Sequence, residues 1–95
     1  MKKAYWIARV TVTDPEAYAG YQALAPAAFA RHGAVFLARG GETECVEGPV
    51  WERHVVIEFP TLSAAKACYA SPEYTAARAK RHGACTAEIF ITEGA

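Results

Sequence analysis

Two short segments occur twice in this sequence, at corresponding places in its two halves. DPE at residues 14–16 is matched by SPE at residues 71–73, and RHGA stands at residues 31–34 and again at 81–84. A capping side chain followed by proline and glutamate favours the start of a helix, and the glycine of RHGA favours its end. The pattern therefore predicts two strand–helix–strand units. Capping preferences alone can produce the same repetition, so the prediction depends on the segments between these signals.

The first half of the chain fits such a unit. Residues 4–12 (AYWIARVTV) are apolar and rich in β-forming side chains, which predicts a strand buried on both faces or nearly so. The helix that follows is expected to begin after Asp14 and to end at Gly33. Pro26 is expected to end or kink this helix midway, because proline removes a backbone donor and its ring clashes with the preceding turn.

The second half contains two strands, two short helical segments and a last strand. They are assigned to residues 34–59 (joined through Gly48-Pro49), 61–70, 72–82 and 85–92. The break between the helical segments comes at Ser71, which can cap the second of them. The element order is therefore β-α-β-β-α-β. This is the ferredoxin-like arrangement of the α+β class, with a four-stranded antiparallel sheet.

Length and charge exclude several classes of protein. A chain of 95 residues is predicted to form one domain, residues 1–95, with a single core. Its formal net charge is zero, so nothing in the composition indicates binding to nucleic acid or to a membrane surface. The N-terminal segment reaches Arg9 before any long apolar run, which argues against a signal peptide. We therefore expect a cytoplasmic protein.

The cysteines agree with this expectation. There are three of them, and none forms a CxxC pair. An odd number of widely spaced cysteines favours free thiols in a reducing compartment. Cys68 lies among apolar neighbours in a predicted helix, where buried packing is a better explanation than nucleophilic chemistry.

The segment FLARGG at residues 36–41 places an arginine at the end of an apolar strand. If the two central strands form a hairpin that is symmetric about Gly48-Pro49, Arg39 lies opposite Glu58 and Glu44 lies opposite Arg53. Two opposite-charge pairs from one register support that register, although a slip by one residue would move every side chain to the other face.

Alternation along these strands predicts the two faces of the sheet. The face that packs on the helices is expected to carry Phe36, Ala38, Val55, Ile57 and Phe59. The other face is expected to carry Val35, Leu37, Arg39, His54, Val56 and Glu58. This second face is too apolar for open solvent, so we expect a second copy of the chain to cover it, leaving a cavity for a small molecule.

The candidate site residues follow from this arrangement. They are Arg39 as an anchor for an anionic group, Gly40 as a point of close backbone approach, His54 and Glu58 as acid–base groups, and Tyr5 and Trp6 as cavity walls. Each has a structural alternative: Arg39 and Glu58 form only an ion pair, and His54 is only a packed side chain. The three histidines lack metal-ligand spacing, and no nucleotide-binding or catalytic-triad motif occurs, so neither a metal nor another cofactor is expected.

The ordered set of motifs VTDPEAY, FLARGG, VEG, VVIEFP and SPEY, with a closing EG, resembles the bacterial family named domain of unknown function 1330 (DUF1330). The resemblance implies a ferredoxin-like fold that forms a homodimer as an α/β barrel. That architecture is similar to small cofactor-independent monooxygenases and lactone isomerases, which use a cavity in each barrel. Cys68 departs from the family pattern, which has tryptophan there in many relatives.

Two functional interpretations remain open from the sequence. In one, the chain binds a small anionic or aromatic metabolite in a cavity between the sheet and either the helices or the dimer partner. It does so as an enzyme or an accessory protein, with Arg39 holding the anionic group. In the other, it is a non-catalytic dimeric binding or scaffold protein in which the same charges fix only strand register and assembly. The sequence names neither a reaction nor a substrate.

Overall fold

The computed structural model describes all 95 residues. Its elements in chain order are β1 (Ala4–Val12), α1 (Pro15–Arg31), β2 (Val35–Arg39), β3 (Arg53–Phe59), α2 (Leu62–Ala70), α3 (Pro72–Lys80) and β4 (Cys85–Glu93). The strands form one sheet in the order β2-β3-β1-β4, and all neighbouring strands are antiparallel. The predicted ferredoxin-like fold is confirmed. None of the three helices is both long and apolar enough to cross a membrane.

The helices begin where the capping signals predict. The Asp14 side chain accepts a hydrogen bond from the Ala17 N–H at 3.2 Å, with proline at the first helical position. Ser71 separates α2 from α3, because its hydroxyl donates to the Cys68 carbonyl at 2.7 Å and accepts from the Tyr74 N–H at 3.1 Å. One buried serine thus satisfies the end of one helix and the start of the next.

Helix α1 does not end at Pro26. The sequence predicted that this proline would end or kink the helix, and the first of these outcomes is wrong. The helix continues to Arg31, although proline cannot donate to the carbonyl of Gln22. Ala25, Ala28 and Phe29 are buried on either side of this position. Packing of that face against the sheet therefore outweighs the loss of one backbone hydrogen bond.

The core lies between the helices and one face of the sheet. Trp6 is at its centre: its ring centroid is 5.1 Å from that of Phe29, 5.0 Å from that of Tyr74 and 5.9 Å from that of Phe59. Edge and offset contacts of this kind add about 0.5–1.5 kcal/mol per pair to the burial of apolar area. This cluster fixes how α1 and α3 sit on the sheet.

The pairing of β2 with β3 differs from the symmetric hairpin. The paired residues are Val35 with Glu58, Phe36 with Ile57, Ala38 with Val56, and Arg39 with Val55. The register shifts between Phe36 and Ala38, which leaves Leu37 as an extra residue in a bulge. The predicted pairs of Arg39 with Glu58 and of Glu44 with Arg53 are therefore wrong.

The bulge changes the face assignment at the end of β2. Arg39 pairs with Val55 and lies on the helix side, whereas Ala38 pairs with Val56 and lies on the other side. Both positions are the reverse of the prediction. The two strands are also shorter than expected, because residues 41–52 between them form no strand. The last backbone hydrogen bond between them runs from the Gly40 N–H to the His54 carbonyl at 2.9 Å, and Gly40 has a φ of +67°.

The sheet face away from the helices has no covering element. Its exposed apolar side chains include Val35 (54% exposed), Leu37 (53%) and Phe90 (49%). The strand registers place Ile7 and Val56 on the same face. We refer to this surface as the open face.

Candidate functional site

A cavity of about 260 Å³ lies between α1 and the helix side of the sheet. Small-molecule sites are commonly somewhat larger, roughly 300–1,000 Å³, so its size suits a small ligand. Most of its lining residues are apolar or aromatic. They are Trp6, Ala8, Val10, Tyr18, Tyr21, Gln22, Ala25, Pro26, Phe29, Phe36, Arg39, Arg53, Val55, Ile57, Arg81, Cys85, Ala87 and Ile89.

The strand registers show how the lining changes along the cavity. Phe36, Ile57 and Trp6 form one row across the sheet, and this row contributes two aromatic rings to the lining of the cavity. Further along β1 come the row of Arg39 and Val55, then the row of Arg53, and last Cys85 at the start of β4. We call the two ends the aromatic end, at Trp6, and the cationic end, at Arg53 and Cys85.

Three arginines line the cavity, and no aspartate or glutamate does. The Arg39 guanidinium carbon lies 4.4 Å from the centroid of the Phe36 ring, and that of Arg81 lies 5.1 Å from the centroid of the Tyr21 ring. Both guanidinium groups therefore lie over aromatic rings, which stabilise the positive charge without neutralising it. An arginine held in this way keeps hydrogen-bond donors for an anionic ligand.

The Arg53 guanidinium group, which lines the cavity, lies against the backbone at Gly40. A β-carbon built on Gly40 would lie 2.6 Å from Nη1 of Arg53. The predicted role of Gly40 as a point of close approach therefore has a geometric basis, although the approaching group is Arg53. Gly40 itself borders a shallower depression next to the cavity, which Arg53 and Tyr18 also line.

Two tyrosines from different helices meet beside the cavity. The hydroxyl oxygens of Tyr21 and Tyr74 are 2.9 Å apart. Burial raises the pKa of Tyr21 well above its ordinary value, and the adjacent Tyr74 adds to that rise. Burial also raises the pKa of Tyr18, with Arg53 offsetting part of the effect. These hydroxyls are therefore neutral donors at physiological pH.

Arg81 joins this group. Burial opposes its charge, but the nearby Tyr74 and Tyr21 hydroxyls outweigh that effect, and the pKa of Arg81 lies above its ordinary value. Its Nη1 is also 4.0 Å from the Cys85 Sγ. Arg81 is thus a permanent cation in the lining of the cavity.

The structure divides the predicted site residues between the two faces of the sheet. Trp6 and Arg39 line the cavity on the helix side, with Trp6 only 1% exposed. Tyr5, His54 and Glu58 lie on the open face, since β1 pairs Tyr5 with Glu58 and Arg9 with His54. Residues on opposite faces of one sheet cannot act on the same ligand within one chain.

On the open face, Glu58 has two polar partners. Lys3 Nζ lies 3.2 Å from its Oε1, and the Tyr5 hydroxyl donates to Oε2 at 3.4 Å. His54 is four residues away on the same strand, about 13 Å at the usual rise per residue. Its Nδ1 is buried and has no hydrogen-bond partner within the chain. The two predicted acid–base groups therefore do not exchange a proton directly.

Sequence reasoning missed several lining residues. Arg53 was assigned to an ion pair with Glu44, which depended on the wrong register. Arg81, Tyr18 and Tyr21 were not among the candidate site residues. The available signal was the recurrence of Tyr18, Tyr21 and Ala25 along one stripe of α1, because a stripe of large and small residues facing a sheet leaves space beside the small ones.

Solved structures share this fold. A protein of unknown function from Rhodopseudomonas palustris, RPA0582, is 19% identical with a TM-score of 0.78, over 99% of this chain and 83% of that one. SnoaB from Streptomyces nogalater, a cofactor-independent oxygenase, is 20% identical with a TM-score of 0.66, over 100% and 95%. A dimeric ferredoxin-like protein of unknown function from Bacteroides fragilis is 16% identical with a TM-score of 0.64, over 97% and 96%.

At these identities the likeness shows the fold alone. No curated protein matches the sequence. The family model described as domain of unknown function (DUF1330) matches residues 3–95, which is nearly the whole chain. The motifs that resembled this family therefore identified it correctly, and the chain belongs to the DUF1330 family.

Proposed function

We propose that this protein binds a small aromatic carboxylate, or an anion of similar shape, in the cavity between α1 and the sheet. One observation carries the proposal: an apolar cavity with an aromatic end has three arginines in its lining and no acidic side chain. Arg39 is exposed and Arg53 and Arg81 are partly exposed, so their charges are accessible to a ligand. An anionic ligand with an apolar body can contact these cations and the apolar lining at the same time.

The orientation of the ligand follows from the lining. Its ring packs against Trp6 and Phe29 at the aromatic end, and its anionic group lies toward Arg39 and Arg53. Arginine suits this role because its planar guanidinium donates two parallel hydrogen bonds to one carboxylate. In this proposal His54 and Glu58 have no role in the cavity, because they lie on the open face.

The competing interpretation, a scaffold held by a structural Arg39–Glu58 pair, lacks that pair in this structure. Glu58 instead contacts Lys3 and Tyr5. Catalysis without a cofactor remains compatible with the proposal, since SnoaB, described as a cofactor-independent oxygenase, shares the fold. Binding is the part that the cavity supports.

The test is a titration of the purified protein with cinnamate and with its neutral amide, cinnamamide, by isothermal calorimetry. Cinnamate should bind at least about tenfold more tightly, a difference of about 1.4 kcal/mol. Arg39→Ala should weaken cinnamate binding about tenfold or more. Arg31→Ala removes the same charge from the exposed end of α1, outside the cavity, and should change little.

Equal affinities for the acid and the amide would contradict the proposal. So would an Arg39→Ala protein that binds cinnamate as tightly as the unchanged one. Loss of binding in both arginine variants would mean that overall charge, and not the cavity, attracts the ligand.

We also propose that a second copy of the chain covers the open face. Its apolar side chains are flanked by charges of both signs: Lys3 with Glu58, and Arg9 with Glu88 at 3.7 Å. Such a surface is self-complementary when two copies meet about a two-fold axis. The similar protein from Bacteroides fragilis is described as dimeric, which supports the same assembly here.

A further inference from the structure

The two tyrosine hydroxyls beside the cavity carry two protons, and the hydrogen bond between them needs only one. Tyr21 and Tyr74 each carry one O–H, and a single hydrogen bond of 2.9 Å joins their oxygens. One of the two hydroxyls therefore donates within the pair, and the other keeps its proton for a different acceptor. Neither hydroxyl donates a hydrogen bond to any other group of the chain.

Burial decides which hydroxyl keeps the free proton. Tyr74 is completely buried and does not line the cavity, whereas Tyr21 does. A buried donor without an acceptor is strongly disfavoured. The Tyr74 hydroxyl therefore donates to Tyr21, and the Tyr21 hydroxyl donates into the cavity.

Arg81 stands at the same place. Its guanidinium carbon lies 5.1 Å from the centroid of the Tyr21 ring, and both residues line the cavity. A free O–H donor and a permanent cation thus converge on one region of an apolar cavity. Paired donors of this kind stabilise an oxygen that carries negative charge.

We infer that Tyr21 and Arg81 form a second binding position for an oxygen anion, and that the ligand class includes phenols and enols, which bind here as phenolates or enolates. The inference deepens the proposed function and rests on it, because it concerns the same cavity. On binding, the O–H bond of the ligand breaks, its electron pair stays on oxygen, and the proton passes to solvent water.

The charged and titratable groups around this position are few. Arg39, Arg53 and Arg81 contribute positive charge, and Tyr18, Tyr21 and Cys85 are the remaining titratable lining groups. No carboxylate opposes ionisation of the ligand. Desolvation disfavours the anion, but three cations and a free hydroxyl donor favour it, so the anionic form should be the one that binds.

The experiment uses para-nitrophenol as the probe, because its phenolate absorbs visible light and its phenol form does not. The probe is titrated with acid and base in the presence of excess protein. The unchanged protein should lower the pKa of the bound probe relative to the free probe. Tyr21→Phe should reverse most of that change, shifting the ionisation constant of the bound probe by about tenfold.

Two further variants keep the test interpretable. Tyr69→Phe removes a half-buried hydroxyl that bonds to Arg78 and does not line the cavity, so it should leave the bound probe unaffected. If Tyr21→Phe alone fails to fold because Tyr74 loses its acceptor, the double variant Tyr21→Phe/Tyr74→Phe removes both partners and leaves no orphaned donor. It should show the same shift in probe ionisation.

The outcomes separate the two proposals. If cinnamate binds as proposed but the probe ionises equally in the unchanged and Tyr21→Phe proteins, the inference about Tyr21 and Arg81 is overturned and the proposed function stands. If the unchanged protein binds neither cinnamate nor the probe, both are overturned. A bound probe whose ionisation depends on Tyr21, and not on Tyr69, supports the inference.

Discussion

Gly40 and Arg53 are in such close contact that a side chain at residue 40 would displace the Arg53 guanidinium group. An added β-carbon would lie 2.6 Å from Arg53 Nη1 and 3.0 Å from its Cζ, and Gly40 also has a φ of +67°. Real β-carbons do not approach other atoms so closely, and L-residues rarely adopt that φ. The glycine thus does two things at once: it ends β2 and it lets a guanidinium lie against the backbone beside the cavity.

Gly40→Ala should therefore affect both stability and binding. The backbone strain should lower the free energy of unfolding by about 1 kcal/mol, and the displaced Arg53 should weaken cinnamate binding severalfold. Gly41→Ala is the matched control, because no atom lies within 4 Å of its added β-carbon. Urea denaturation and calorimetry measure the two effects. Equal behaviour of the two variants would show that the contact with Arg53 is unimportant.

Ser71→Ala should destabilise the protein and disturb the tyrosine pair. The serine hydroxyl bonds to the Cys68 carbonyl and to the Tyr74 N–H, and the side chain is only 7% exposed. Losing a helix cap and leaving a buried carbonyl with one partner fewer should cost about 1–2 kcal/mol. Ser63→Ala, an exposed position in α2, should cost little. Thermal denaturation compares them, and a neutral Ser71→Ala would contradict the proposed role of the cap.

The success and failure of the sequence predictions have a common physical explanation. Helix starts at Asp14 and Ser71 were predictable because a cap acts on backbone atoms within three residues of itself. The register of β2 was not, because the bulge at Leu37 depends on how a distant strand pairs. That one extra residue moved Arg39 to the helix side, so Arg39 was predicted on the wrong face of the sheet.

Stability should fall at alkaline pH, partly through Cys68. This thiol is completely buried, and burial raises its pKa from 9.0 to about 11, with Glu73 adding to the rise. A thiol whose pKa is higher in the folded state stabilises the fold below pH 9, and that contribution is lost as the pH rises toward 11. Tyr21 and Tyr18 act with the same sign at higher pH, since burial raises their pKa values too.

Cys68→Ala should accordingly flatten the dependence of unfolding free energy on pH between about 9 and 11. The variant loses some packing at every pH, so the slope is compared and not the absolute stability. Cys45→Ala, at an exposed thiol, is the control and should keep the slope of the unchanged protein. If Cys68→Ala keeps that slope as well, the buried thiol is not the group that titrates.

The proposed dimer predicts that a charge on the open face separates the subunits. Leu37 and Phe90 are about half exposed in the single chain, at 53% and 49%, and both lie on that face. Burying an unpaired lysine in an apolar interface is strongly unfavourable, so Leu37→Lys or Phe90→Lys should raise the dimer dissociation constant by a hundredfold or more, about 2.7 kcal/mol. Leu24→Lys makes the same change on α1, where the side chain is 41% exposed, and should leave the assembly unchanged.

Sedimentation velocity over a concentration series measures the assembly of all three variants. A monomeric unchanged protein would contradict the assignment of the open face. So would the finding that the Leu37→Lys variant and the Phe90→Lys variant both remain dimeric. Because the cavity lies on the other side of the sheet, cinnamate binding by a monomeric variant would in addition show that the site is complete within one chain.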